Sequence, residues 1–238
     1  RVERVDAGRP EAHPADEGMA WLVGAYRIPR APVAALLEGY RWDVEARRYD
    51  DLAGVRAYSA RVAASVGVVM TLLMGRRDRA VLARAADLGV AMQLTNIARD
   101  VGQDARRGRV YLPLAWLRDE GIDPEAFVAR PRFEPGVGVV VCRLLDHAER
   151  LYRRAETGIG ALPPECRTAI AAARRIYADI GRIVRRRGYD SVSDRAYTTA
   201  GRKAVLLARA LPARRADRRA LSEAPILPEC AFLLEEVP

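Results

Sequence analysis

Between Val90 and Asp104, three polar side chains recur every four residues, Asn96, Asp100 and Asp104, interleaved with an apolar stripe of Leu94, Ile97 and Val101. On a helix this spacing puts the three on one face. Each step advances about 6 Å and slips about 40°, so the two carboxylates are neighbours able to grip a common cation. Hard oxygen donors at this spacing suit Mg²⁺, which keeps several waters and is held by one or two carboxylates together with phosphate oxygens of a substrate. The loop that follows at once, from Arg106 to Pro113, carries Arg106, Arg107 and Arg109, whose guanidinium forks match phosphate oxygens bidentately. Diphosphate chemistry is the natural use of such a pair of segments. The plainer alternative is a solvated helix face, with Arg99, Arg106 and Arg107 neutralising the acids.

The elements that must position these residues read as helices. Apolar residues recur at helical spacing at Val33, Leu36, Leu37 and Tyr40, at Val62, Val66, Val69 and Leu73, and at Leu144, Leu145, Ala148, Leu151 and Tyr152. Breakers divide the chain into helices at about Pro14–Tyr26, Ala31–Arg48, Leu52–Met74, Arg77–Ala105, Leu114–Glu120, Val137–Gly158, Pro164–Arg187 and Arg202–Leu211. Val137 to Val141 also suits a short strand, but its continuation into the periodic segment favours helix. Residues 1–211 are expected to form a single helical domain, and residues 212–238 a weakly ordered tail from which Ile226, Phe232 and Leu233 could dock on the body.

Bulk properties narrow the setting. Half of the 238 residues are apolar, enough for a substantial core. The longest uncharged run, Val62 to Gly75, has 14 residues, too short to span a bilayer, and Arg1 to Pro14 lacks the apolar segment of a signal peptide. Three dispersed cysteines, Cys142, Cys166 and Cys230, fit neither a disulfide framework nor a metal site, so a reducing cytosolic compartment is expected. The net charge of +9 suits an anionic partner: a diphosphate, anionic lipid or nucleic acid. Arg185–Arg187 and Arg214–Arg215 raise the last, but no aromatic interleaving or nucleic-acid module accompanies them, and nucleic acid is not expected. His13 and His147 have no partner set suggesting a metal or a triad.

The segment from Gln93 to Pro113 resembles the second aspartate-rich signature of the squalene and phytoene synthases, with Gln93, Asn96, Arg99, Asp100, Asp104, Arg109 and Tyr111 matching. One position departs: the family commonly has Glu before the last Asp, where this chain has Gln103, which leaves metal binding to Asp100 and Asp104 with Asn96. Tyr58 to Gly67 resembles a second family helix at Tyr58, Val62, Ala63, Val66 and Gly67, with Ser59 in place of a usual Cys and Ala64 in place of a usual Gly. Its small residues make room for a prenyl tail in the family; taken alone, close helix packing is the better explanation of them, with Tyr58 the exception. The weaker matches are Asp43 on a preceding helix, Tyr189, and the basic pair Arg202–Lys203.

The resemblance implies an all-α, isoprenoid-synthase-type helical bundle with a central prenyl cavity. It implies a Mg²⁺-dependent prenyltransferase, with Mn²⁺ as a substitute and no NADPH. Two geranylgeranyl diphosphates would be joined head to head to phytoene through a cyclopropyl diphosphate, in carotenoid biosynthesis. The same motifs serve squalene, dehydrosqualene and presqualene diphosphate synthases acting on farnesyl diphosphate, and a non-catalytic scaffold relative is the further alternative. Tyr58, Arg99, Asp100 and Asp104 are the catalytic candidates. Asp43, Val62, Ala63, Gln93, Asn96, Arg109, Tyr111, Tyr189, Arg202 and Lys203 are the substrate-binding ones. Partners are prenyl diphosphates and, peripherally, an anionic membrane on the cytoplasmic face. The family's first aspartate-rich motif has no counterpart here, since Asp190 and Asp194 read as a loop or helix cap; this stretch alone is expected to be inactive.

Overall fold

A computed structural model describes residues 4–5, 9, 11–215, 221 and 223–237, with the side chains of residues 214 and 215 outside the description. The reading of the amino end before Glu11 and the Arg214–Arg215 pair therefore fall largely outside the described residues. The described residues are helical, with no strand. Helix α1 spans Pro14–Tyr26 and α2 Arg30–Val44. Helix α3, Leu52–Ser59, runs through a π-helical turn, Ala60–Ala64, into α4, Ser65–Leu73. Then come α5 (Arg79–Ala105), α6 (Leu114–Asp119), α7 (Pro124–Ala129), α8 (Pro135–Ile159), α9 (Pro164–Arg186) and α10 (Ala200–Ala208). Short 3₁₀ turns at Leu211–Arg215 and Pro228–Leu234 follow.

Local chemistry accounts for many of the boundaries. Proline occupies the first turn of α1, α7, α8 and α9, where its missing N–H costs nothing. Asp51, Asp123 and Thr199 cap α3, α7 and α10 through their side-chain oxygens. Two expectations need correction. Helix α2 stops at Val44 rather than near Arg48, because the chain turns through Ala46 at φ +49°. The segment expected as one helix over Leu52–Met74 contains the π turn, whose extra residue per turn is invisible to an apolar pattern.

The 27-residue α5 is the axis of the molecule, packed against α4, the π turn, α8 and α9. It is buried around most of its circumference at its middle, from Val90 and Ala91 to Leu94, Thr95, Ile97 and Ala98. Helix α8 presents a buried stripe from Val137 through Val141, Leu144, Leu145, Ala148 and Leu151 to Tyr152, so this stretch is helix and not strand. Approach is close where glycine permits it. A Cβ on Gly89 would lie 2.6 Å from the Ala63 carbonyl oxygen and from Ala64 Cα, and one on Gly67 2.7 Å from the Ala85 oxygen.

Of the tail expected to be weakly ordered, the stretch from Ile226 to Val237 is docked on the body, as Ile226, Phe232 and Leu233 were expected to allow. Cys230, Leu233 and Leu234 are buried in the same core as α5 and α8, with Phe232 packed against it. A buried charge knot anchors this strap. Asp87 accepts from Arg154 Nε at 3.1 Å and pairs with Arg84 at 2.8 Å, while Arg84 and Arg154 donate onward to the carbonyls of Ala224 and Pro225. No helix among the described residues is long and apolar enough to cross a membrane.

Candidate active site

Asn96, Asp100 and Asp104 lie on the carboxyl-terminal third of α5. The Asp100 carboxylate is gripped by two guanidinium groups. Arg99 donates through Nε at 2.7 Å and also through Nη2, and Arg195 donates through Nε at 2.6 Å. Burial pulls the Asp100 carboxyl upward, but those hydrogen bonds and charges outweigh it and hold it below the usual carboxylate range. Asp104 behaves oppositely. Burial, then the charge of Asp100, push it up to about 6 against the pull of Arg107, Arg109 and Arg99. A half-buried carboxylate repelled by its neighbour is a group that a cation would relieve.

The turn Arg109–Tyr111 links this face to a second cluster. Asp104, Arg109 and Tyr111 line one small pocket, and the Tyr111 hydroxyl donates to Asp43 Oδ1 at 2.7 Å. Tyr58 donates to the same carboxylate at 2.8 and 3.1 Å. The rings of Tyr58 and Tyr111 stack at 5.0 Å, with Tyr49 at 5.4 Å from Tyr58. Burial, followed by the Asp43 hydrogen bond, pushes the Tyr111 phenol up to about 12; burial, Tyr111 and Asp43 push Tyr58 further. Both shifts favour the neutral phenols, which donate to the Asp43 carboxylate.

An apolar cavity of about 390 Å³ opens along the amino-terminal side of Asn96. Val62 and Ala63 from the π turn, Met70 from α4 with Met74 just beyond its end, and Leu88 and Met92 from α5 form much of its wall. Its polar lining includes Gln93 and Asn96. Asn96 donates to Gln93 Oε1 at 3.3 Å, but its own Oδ1 is buried with no partner, an acceptor left for something absent from the protein chain. Ala64 takes no part in the wall; it faces Gly89, so its extra methyl does not narrow the cavity. Ser59 is spent on the Val55 carbonyl at 2.8 Å.

Hard oxygens on one α5 face, Asp100, Asp104 and Asn96 Oδ1, fit Mg²⁺ in donor type. Among the described residues no group of three or more His, Cys, Asp or Glu side chains surrounds a metal position. A profile of the family described as "Squalene/phytoene synthase" matches residues 1–203. The chain belongs to this family.

The squalene/phytoene synthase relatives include the phytoene synthase of Cereibacter sphaeroides, 52% identical over 233 residues, which cover 98% of this chain and 64% of the relative. The phytoene synthase of Rhodobacter capsulatus is 52% identical over 208 residues, covering 87% of this chain and 61% of that protein. This chain thus spans about three-fifths of the length of these curated relatives. Among solved structures, a dehydrosqualene synthase in complex with ligand superposes with TM-score 0.78 at 27% identity, covering 88% of this chain and 74% of that one. The squalene synthase HpnC from Alicyclobacillus acidocaldarius does so with TM-score 0.73 at 26% identity, covering 79% and 71%. The fold is the isoprenoid-synthase type that the family resemblance implied.

Within this family fold, the structure brings most sequence candidates into three adjoining groups: Arg99, Asp100, Asp104 and Arg109; Asp43, Tyr58 and Tyr111; Val62, Ala63, Gln93 and Asn96. The carboxyl-terminal candidates stand apart. Arg202 donates to the buried Asp179 at 2.9 and 3.2 Å, and Lys203 is exposed. Tyr189 sits in a turn at φ +64° with the Arg185 guanidinium 6.0 Å from its ring. Asp190 forms a turn by accepting from the Val192 and Ser193 N–H groups, as a loop residue would. Sequence reasoning missed Arg195 and Tyr49. Neither lies on a periodic stripe; Arg195 reaches Asp100 only because residues 190–199 cross α5.

Proposed function

We propose that the protein is a head-to-head prenyltransferase that condenses two geranylgeranyl diphosphates to phytoene through a cyclopropyl diphosphate, in carotenoid biosynthesis. The observation that carries the reading is the junction at Asn96: a buried, unpartnered amide oxygen where a carboxylate-bearing helix face meets a prenyl-sized apolar cavity. Relatives named phytoene synthase at 52% identity support the product.

Mg²⁺, or Mn²⁺ in its place, would be held by Asp100 and Asp104 with Asn96 and would supply positive charge against the departing diphosphate. The chain's own residues do the rest. Arg99 and Arg109 offer guanidinium donors to diphosphate oxygens as negative charge collects there. The cavity wall of Val62, Ala63 and their neighbours offers the tail an apolar surface beside the site where an allylic cation would form. Asp43 fixes the Tyr58 and Tyr111 rings, whose faces stabilise positive charge nearby. Gln93 positions Asn96, whereas Tyr189, Arg202 and Lys203 stand apart from this cavity and take no part in the proposed site. No NADPH is needed, because forming phytoene involves no net reduction.

The alternative, a squalene or dehydrosqualene synthase acting on farnesyl diphosphate, has support from the two solved structures with those titles. The product of the complete gene, incubated with Mg²⁺ and each diphosphate, decides between them. Phytoene from geranylgeranyl diphosphate is the expected hydrocarbon; a product only from farnesyl diphosphate supports the alternative, and none from either sinks both. The protein works in the cytoplasm, and its basic exterior suits peripheral contact with anionic lipid, which a vesicle-flotation assay checks.

A further inference from the structure

Away from the carboxylate face of α5, helix α9 carries Arg174, Arg175 and Arg182 around Ala178. Positions 174, 178 and 182 recur every four residues and 175 lies three before 178, so these four share one helix face. The short side chain of Ala178 leaves a gap between the arginines. Leu206 of α10 lies buried against that gap, and Arg209, three residues on, stands on the same side of its helix. The result is a pocket of about 200 Å³ lined by Ala178, Leu206, these four guanidinium side chains and Glu149 of α8.

The neighbouring carboxylates do not use up this charge. Arg174 donates through Nη2 to Glu156 at 3.2 Å, yet its Nε is buried with no partner, a donor left over in the pocket wall. Arg182 pairs with Asp179 at 3.0 Å, a carboxylate that Arg202 also holds at 2.9 Å. Glu149 faces Arg153 at 3.8 Å. Arg175, half-buried, and Arg209 have no hydrogen bond or ion pair among the described residues. Like charges gathered on one face repel, and a multivalent anion relieves them. Several guanidinium forks around one hollow match the oxygens of a phosphate group.

We infer that this pocket is a second anion site, which takes a phosphate-bearing ligand, either inorganic diphosphate or the phosphate head group of an anionic lipid. It shares no lining residue with the apolar cavity, to which α9 turns its other face through Ile170, Ala173 and Tyr177. Its donors are cations, so binding there needs no Mg²⁺.

The test uses the full chain in EDTA at physiological ionic strength. Inorganic diphosphate is titrated in by calorimetry, and flotation with phosphatidylcholine vesicles, with and without phosphatidylglycerol, probes the lipid. Saturable binding of at least one probe is expected. The double variant Arg175→Gln, Arg209→Gln should weaken it at least tenfold, and so should Ala178→Leu, which fills the pocket without changing its charge. Arg186→Gln, at an exposed α9 position outside the pocket, should stay within about twofold. Circular dichroism and urea midpoints show whether Ala178→Leu folds; where it does not, the double variant carries the test. Diphosphate binding alone assigns a free anion, binding of the anionic vesicles alone assigns a lipid head group, and binding of both assigns the phosphate they share. The inference is overturned by no binding of either probe, or by an equal loss in Arg186→Gln. Binding untouched by the double variant overturns it too, since the anion then sits at Arg99 and Arg109 or is an adventitious ion only.

Discussion

Gly102→Ala sets two effects of opposite sign against each other. Gly102 lies inside α5, where alanine ordinarily gains about 1 kcal/mol of helix propensity. Its missing Cβ is where residues 190–199 cross the helix: an added Cβ would lie well inside contact with the Val192 carbonyl oxygen and 2.7 Å from its carbonyl carbon. Both partners are backbone, so the crossing segment must lift. Lifting it breaks the Gly102 N–H bond to the Ser191 carbonyl at 3.0 Å, the Arg106 bond to Val192 at 3.1 Å, and the Arg195 bond to Asp100 at 2.6 Å. At about 0.5–1.5 kcal/mol each, with the exposed Arg195 pair at the low end, the loss is about 2–4 kcal/mol. The variant should therefore be destabilised by about 1–3 kcal/mol net in urea unfolding, with faster amide exchange in residues 190–199. An increase in stability by the propensity gain alone would refute the crossing as described.

Three further outcomes follow from the same structure. Tyr58→Phe and Tyr111→Phe should each cost about 1 kcal/mol in urea unfolding, and the double variant more than their sum, because Asp43 then loses both donors; strict additivity would contradict the shared carboxylate. Asp87→Asn should cost about 3–5 kcal/mol, since it leaves Arg84 and Arg154 without their buried counter-charge, and should expose the strap at residues 223–237 to proteolysis; a loss under about 1 kcal/mol counts against the knot. Burial, then Arg150 and Arg56, push His147 down from 6.5 to about 4, so the native state favours the neutral ring. Its contribution is present above pH 6.5 and lost as pH falls towards 4; discounted for solvent screening it is about 1 kcal/mol, and His147→Gln should flatten that part of the stability–pH curve.

Much of the helical frame was legible because its signals are local. Pro14 and Pro164 mark helix starts to the residue, and the apolar stripe of α8 leaves one face to bury. The face of Asn96, Asp100 and Asp104 was legible for the same reason. Convergence across the chain was not. Nothing in the residues near Tyr111 says that its hydroxyl shares Asp43 with Tyr58, and Arg195 sits in a segment without period whose path is set by the gap at Gly102. Docking of Ile226, Phe232 and Leu233 was foreseen, but not the extent of the strap, because Leu227, Cys230 and Leu233 are too few to show an amphipathic pattern and their burial depends on a surface that α5 and α8 build elsewhere. Arg202 was taken as a site residue from its resemblance to a basic pair of the family; its commitment to the buried Asp179 is a tertiary fact.

The central claim is that Asp100 and Asp104 form the cation-bearing face of a prenyl diphosphate site. Calorimetric titration of geranylgeranyl S-thiolodiphosphate into the chain, with and without Mg²⁺ and with Asp104→Asn, tests it most directly. Saturable binding that requires Mg²⁺ and weakens at least tenfold in Asp104→Asn is the predicted result. Binding of equal strength without the cation, or in the variant, would contradict it.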